Sequence, residues 1–345
     1  MAANTGQSPP DDRWLDTLQE EILEPELAII DPHHHLWLRN GYRYLLPEFA
    51  EDLACGHNIV ATVFAECHSM YRAGGLEETR AIGETEFVRG QAAMSASGEF
   101  GSTRACEVMF GNVDLTLGSA VEPILTQHQE AAGGRFRGVR ISSGWHDSDQ
   151  IPNVATRPQL LVDPQVGQAA AVLQRLGMSL DCWLYHTQLD EVVQFAETYP
   201  DLTIVLNHVG SPILGGPYRG QADTVFREWK LAINRVSACD NVFVKLGALP
   251  IRMPTYSGDR TLPPGSEEVA AAWRPWMEAC IEAFSPARAM YESNFPVQKR
   301  WCSYQVCWNA FKRISAGASD MEKVDLFFGA AAQAYRLDGD LCRRG

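Results

Sequence analysis

The chain has 345 residues, 46% hydrophobic and 21% charged, and its 29 basic against 43 acidic side chains leave a formal net charge of −14. That balance fits a globular fold with a full core and argues against nucleic acid or an anionic membrane as partner. No stretch approaches the roughly 18 uninterrupted apolar residues of a spanning helix, the first 26 residues lack the regions of a secretory signal, and the nine cysteines include no C-x-x-C pair, so a cytoplasmic protein with reduced, mostly buried thiols is expected.

In chain order, residues 1–26 read as an N-terminal extension, 27–337 as one body of alternating apolar runs and amphipathic stretches, and 338–345 as a C-terminal tail. The strand candidates are 27–31 (LAIID), 59–66 (IVATVFAE), 107–114 (EVMFGNVD), 136–141 (FRGVRI), 178–185 (MSLDCWLY), 203–208 (TIVLNH), 241–247 (NVFVKLG) and 289–294 (AMYESN). Helices are predicted near 76–90, 118–132, 164–176, 187–199, 222–238, 266–284 and 303–315, with a last one at 319–331. Ser266 before two glutamates marks a helix start, and Gly177 marks a helix end. Eight strands alternating with helices predict an α/β fold, a TIM-type (β/α)8 barrel, better than a doubly wound sheet.

Three connections are long: CHSMYRAGG after the second strand, SSGWHDSDQIPNVATRPQLLVD after the fourth, and ALPIRMPTYSGDRTLPPG after the seventh. In a barrel all three cover the C-terminal face, where such enzymes keep their sites.

The residues at the strand ends carry the chemistry. DPHHHLW (31–37) ends the first strand, and because a strand alternates faces, His33 and His35 point one way and His34 the other. The remaining strand ends offer Glu66 and His68, Asp114, Arg140, His186, Asn207 and His208, Lys245, and Glu292 and Asn294. Such a cluster of ionisable groups marks a metal or acid/base site. His57, His128 and His146 fall in helices or loops and read as structural or solvent-facing. Arg140 and Arg72 suit a substrate carboxylate, since guanidinium donates paired hydrogen bonds, and rim ion pairs are the equal alternative. Tyr71, Trp145 and Tyr256 in the long loops are candidates to line a pocket for a ring-shaped or aromatic-derived substrate. Trp273, Pro275 and Trp276 read as core or a subunit contact.

DPHHHLW, YHTQL (185–189), LNHVGSP (206–212) and ESNFPV (292–297) together resemble the amidohydrolase superfamily, in particular the amidohydrolase-2 group of lactonases, over about residues 27–337. The resemblance implies a barrel hydrolase opening a lactone or related cyclic ester. It implies that His33, His35 and His186 hold one divalent ion, usually zinc, with manganese as the alternative, and that His208 serves as acid/base or polarises the carbonyl. Zinc bound by neutral imidazoles with an open position lowers the pKa of its water toward about 7, which makes hydroxide available at neutral pH.

One position departs from the group. Where the pattern has an aspartate on the eighth strand, this chain has Asn294, whose amide cannot take a proton from water. Glu66 is expected to compensate, as metal ligand or base, and Glu292 lies two residues before Asn294 on the same strand face. Some relatives hydrolyse lactones without metal, and that mechanism stays open here. Non-oxidative decarboxylation and ligand binding without turnover are the alternatives. A small-molecule substrate is expected, and a homo-oligomer is compatible with the composition.

Overall fold

The computed structural model describes residues 10–39, 41–249, 261–338 and 341. Eight parallel strands stand side by side in chain order: β1 (Ile29–His34), β2 (Ile59–Ala65), β3 (Arg104–Gly111), β4 (Phe136–Ser142), β5 (Ser179–Trp183), β6 (Ile204–Leu206), β7 (Val242–Leu246) and β8 (Ala289–Tyr291). The ring is drawn together just beyond β8. There Asn294 N donates to His33 O at 2.9 Å and His35 N to Phe295 O at 2.7 Å, and His34 pairs with Phe295 as an isolated parallel bridge. The fold is therefore the predicted α/β type, a nearly closed TIM-like barrel, and the seam is tied by residues 33, 35 and 294, which the sequence offers as site candidates.

All eight predicted strands are present with edges displaced by a few residues. A short hairpin, Trp37–Arg39 with Tyr42–Tyr44, and an eight-residue helix, Leu46–Leu53, follow β1 and were not predicted. Both are too brief for a periodic signal, and Pro47 in the helix's first turn hides it further. The terminal helix is broken into Asp320–Val324, a π-helical turn over Asp325–Gly329, and Ala330–Tyr335.

Alternation along the strands separates two cores. Outward residues such as Leu180, Cys182, Leu206 and Val244 pack with the surrounding helices, including Trp229, Trp273 and Trp276. Ile30, Val63, Val108, Phe110, Val205, Phe243 and Met290 instead form a separate cluster that the terminal helix covers through Ala331, Ala334 and Tyr335. Between β5 and β7 this same face carries Asp181 and Lys245, both with fully buried side chains. The barrel interior thus grades from apolar packing to buried charge, and the charge lies toward the strand ends.

Two predicted caps had different fates. Gly177 takes φ +64°, and Met178 N reaches Leu173 O at 2.9 Å, so it closes the helix Pro164–Arg175 as expected. Ser266 is not a cap: Gly265 holds that position, and Ser266 accepts a hydrogen bond from Arg313 Nε at 2.7 Å. The main-chain N–H of Ser266 goes to Glu20 Oε1 at 2.7 Å, a partner 246 residues away. The segment around residues 20–24 is in turn held by the helix Tyr304–Ile314, where Asn309 bonds Glu20 and Leu23, and Lys312 donates to Leu23 O and Glu24 O. Among the described residues, no helix is long and apolar enough to cross a membrane.

Candidate active site

The first strand divides its histidines as alternation requires. His34 faces outward, stacks on Phe49 at 4.2 Å between centroids, and lies 2.8 Å from Thr62 Oγ1, which itself accepts from Cys106 N. Burial holds its pKa down near 3, so it is a neutral core residue. His33 and His35 face the opposite way with ring centroids 4.9 Å apart, and His208 lies 4.7 Å from His33.

Glu292 joins two of these rings. Its Oε1 lies 2.5 Å from His208 Nδ1 and also accepts the His208 main-chain N–H at 3.2 Å. Its Oε2 lies 3.0 Å from His33 Nδ1, yet the orientation is not that of a hydrogen bond and this buried oxygen has no hydrogen-bond partner. His33 is crowded by cations: Lys245 Nζ stands 3.2 Å from Nδ1 and Arg140 Nη1 3.4 Å from Nε2. Burial first, then Lys245 and its other charged neighbours, hold His33 well below the ordinary imidazole pKa. Lys245 is paired with Asp181 at 2.7 Å, and Asp181 also accepts from Asn207 and Tyr335.

Glu66 and Arg140 form a second buried pair. Arg140 Nε reaches Glu66 Oε1 and Nη2 reaches the Glu66 carbonyl, each at 2.6 Å. Burial alone would raise the Glu66 pKa, but Arg140 and then His68 outweigh it and hold the carboxyl below its usual value. Behind this pair, the buried Glu84 carboxyl, whose pKa burial and then Glu66 push up to about 8, accepts from Cys67 N at 3.1 Å and Ser69 N at 2.7 Å, fixing the turn that carries His68 at φ +58°. His208, Val209, Ser211 and Asn294 likewise have positive φ, so left-handed backbone recurs where the chain leaves the strands. Such strain persists only where surrounding contacts fix it, and it gathers at functional sites.

Asn294 is matched to a neutral partner. His35 Nδ1 donates to Ala65 O at 2.9 Å, and burial holds the ring well below its ordinary pKa, so Nε2 carries a lone pair. Asn294 Oδ1 lies 3.2 Å from that nitrogen. Two acceptors cannot bond each other, so a hydrogen bond there requires the amide turned about its C–C bond to bring the NH2 to the ring, the orientation that the neutral His35 tautomer selects. An aspartate at this position could not donate it.

The other expected site residues are distributed as follows. His186 accepts from Ile213 N at 3.2 Å through Nδ1 and packs edge-on against Tyr218 at 5.3 Å, so it fixes the loop after β6. Burial holds its pKa near 4. Glu66, expected as the compensating carboxylate, is held by Arg140, whereas Glu292 lies against the histidines. Arg72 is engaged with Glu86 on the surface, its Nε 3.1 Å from Oε2. Tyr71 OH lies 3.1 Å from His68 Nδ1, and Trp145 donates to Gln188 and Asp147. Tyr256 lies outside the described residues. His57 is bonded to Lys312 and Gln305 O, His128 to Thr85, and His146 to Tyr218.

A cavity of about 470 Å³ opens over this constellation. His35, Arg140, His208 and Asn294 give it polar groups, and Trp183, Tyr185, Ile151 and Ile213 give it an apolar wall. A second cavity of about 420 Å³ shares Arg140 and Ser142 with the first and contains His68 and Asp114. Asp114 is occupied locally as a cap, accepting from Thr116 N and Oγ1. Sequence reasoning missed Trp183 and Tyr185 as wall residues, and Asp181 as the partner of Lys245. Period-two alternation through SLDCW, which puts Asp181 and Trp183 on one face, was the signal available for two of them.

The residues present fit a metal ion in composition. Among the described residues, His33, His208 and Glu292 form a group whose potential ligand atoms lie within 4.8 Å of one another. His33 is neutral, as a ligand must be, and Glu292 brings an unpartnered buried oxygen. His35 and His186 are not part of that group.

Comparison with known proteins agrees with this architecture. The family model described as Amidohydrolase (Amidohydro_2) matches residues 30–337. An uncharacterized protein, y4mH, of Sinorhizobium fredii is 30% identical over 334 residues, covering 90% of this chain and 99% of that protein. An L-fucono-1,5-lactonase of Burkholderia multivorans is 26% identical over 203 residues, 59% of this chain and 65% of the lactonase. A crystal structure of an amidohydrolase from Burkholderia multivorans with bound zinc superposes with a TM-score of 0.68 at 23% identity, covering 90% of this chain and all of that one.

Proposed function

The chain belongs to the amidohydrolase family, and from that premise we propose that it hydrolyses a lactone or related cyclic ester of a small molecule. One observation carries the reading above the others: His208 lines the 470 Å³ cavity while Glu292 holds its Nδ1 at 2.5 Å. A carboxylate on Nδ1 fixes the tautomer and leaves Nε2 as the proton acceptor.

The chemistry follows from that tautomer. His208 Nε2 takes a proton from a water molecule as the water oxygen bonds to the lactone carbonyl carbon, and Glu292 stabilises the imidazolium formed. Arg140 places positive charge beside the oxyanion. When the tetrahedral species collapses, the ring C–O bond breaks and His208 returns the proton to the departing alkoxide. The product is the open hydroxy acid. Asn294 and Ala65 hold His35 in place in the same cavity. A divalent ion, zinc in the first instance, would be held by His33, His208 and Glu292 and would supply Lewis acidity there, with His208 then a ligand in place of the base.

The substrate follows from the walls. Trp183 and Tyr185, packed edge to face at 5.3 Å, offer aromatic surface to a ring. Arg140 is the only cationic side chain among the described lining residues and is already engaged by Glu66. Of the carboxylated and aromatic-derived substrates that the sequence left open, a neutral or aromatic-derived ring is therefore favoured.

The test is a panel of neutral and carboxylated five- and six-membered lactones, followed by proton release, with hydroxybenzoates assayed for loss of CO2. Opening of a neutral lactone, abolished in His208→Gln, is the expected result. Turnover confined to decarboxylation, or none in a folded protein, would overturn the reading.

A further inference from the structure

Lys245 is a buried cation that the hydrolytic mechanism leaves without a task. Its side chain is fully buried, and its ammonium stands 2.7 Å from Asp181 Oδ1, 4.5 Å from the centroid of the Phe110 ring and 5.1 Å from that of Tyr335. It also stands 3.2 Å from His33 Nδ1, the nitrogen that Glu292 Oε2 approaches to 3.0 Å. Arg140 faces the other ring nitrogen at 3.4 Å. An ion bonded to His33 at the usual ~2.1 Å would lie within roughly 5.5 Å of a full positive charge whichever nitrogen it used.

We propose that the Lys245 ammonium is the resident cation of this centre, and that it weakens binding of divalent metal ions to His33, His208 and Glu292. Two features of the structure support this. Asp181 is supplied as a dedicated counter-ion on the neighbouring side of the interior, steadied by Asn207 Nδ2 at 2.8 Å and Tyr335 OH at 2.8 Å, so the lysine is built in rather than trapped. Glu292 is the only carboxylate in the candidate ligand group, and Lys245 is the charged neighbour that most opposes a positive charge on His33. Arg140 has Glu66 as its own partner at 2.6 Å and lies at the cavity, whereas Lys245 is sealed beneath it. The inference concerns the cation and not the substrate, so it stands or falls apart from lactone hydrolysis.

The experiment is zinc binding to the full chain, measured by competition with a chromophoric chelator. Lys245→Met should bind one zinc about 10- to 100-fold more tightly than the unaltered protein, the range that groups beside a metal's ligands commonly control. Adding His33→Ala should abolish the gain. Because Lys245→Met leaves Asp181 buried without its cation, Lys245→Met/Asp181→Asn is measured alongside, with circular dichroism for both. Equal affinities in the folded variants and the parent, or a gain that survives His33→Ala, would overturn the proposal. The unaltered protein gives a result by itself: dialysis against a micromolar chelator should strip its zinc, and retention of one zinc per chain would be a refutation.

Discussion

His208 Nδ1 lies 2.5 Å from Glu292 Oε1, and the same oxygen accepts the main-chain N–H of His208 at 3.2 Å, so one carboxylate sets both the ring and the backbone of this cavity-lining histidine. Replacing Glu292 by glutamine keeps the size but removes the charge that selects the tautomer. In Glu292→Gln, kcat for lactone opening should fall by about 10²- to 10⁴-fold with KM little changed. A fall of less than about threefold in steady-state assays would remove Glu292 from the mechanism.

Glu66 has a different part. It is the counter-ion of Arg140, whose side chain is only 11% exposed, and breaking a buried pair from one side leaves an uncompensated charge. Glu66→Gln should cost about 3–5 kcal/mol in denaturant unfolding. The stability, though not the turnover, should be partly recovered by Arg140→Met in the same chain, because both ends of the pair are then gone while the oxyanion loses its cation. If Glu66→Gln is as stable as the parent, the pair does not hold the cavity's shape.

Asn294 faces a neutral ring. Asn294→Asp would put a carboxylate, unable to donate, against the His35 Nε2 lone pair in a position 6% exposed. The expected cost is about 1–3 kcal/mol at pH 8. It should shrink at pH 5.5, where the aspartate or His35 can take a proton, relative to the parent measured at the same pH. Equal stability of the two proteins at pH 8 would show that the amide is not donating.

Acid sensitivity should come partly from His34. Unfolding lets this ring take a proton below about 6.5, which the folded protein refuses until about 3 because burial excludes the charge. The stability it contributes is complete above pH 6.5 and is lost as pH falls from 6.5 toward 3, at up to ~1.4 kcal/mol per pH unit. His34→Gln, which keeps a polar group for Thr62, should flatten the fall in melting temperature between pH 6.5 and 4.5. An unchanged slope would mean the acid transition is governed by other groups.

Much of this was legible in the amino-acid order. The eight apolar runs gave the barrel because each strand must bury one side against helices and the other within the ring, and that demand is written locally, residue by residue. Alternation alone put His33 and His35 together and His34 apart. It also placed Glu292 and Asn294 on one face, although it could not say which histidine each would meet.

What the sequence could not decide was pairing across the ring. Glu292 meets His208 over a separation of 84 residues, and Lys245 meets His33 over 212. Such partners depend on the stagger of strands and on where each chain leaves the barrel, and neither has a local signature. The same cause gave Glu66 to Arg140 and left His186 bonded to Ile213, since once a nearer group satisfies a buried donor or acceptor, it no longer serves the centre. Composition and period therefore set the fold and the roster of candidates, and the closed geometry of the barrel set which of them touch.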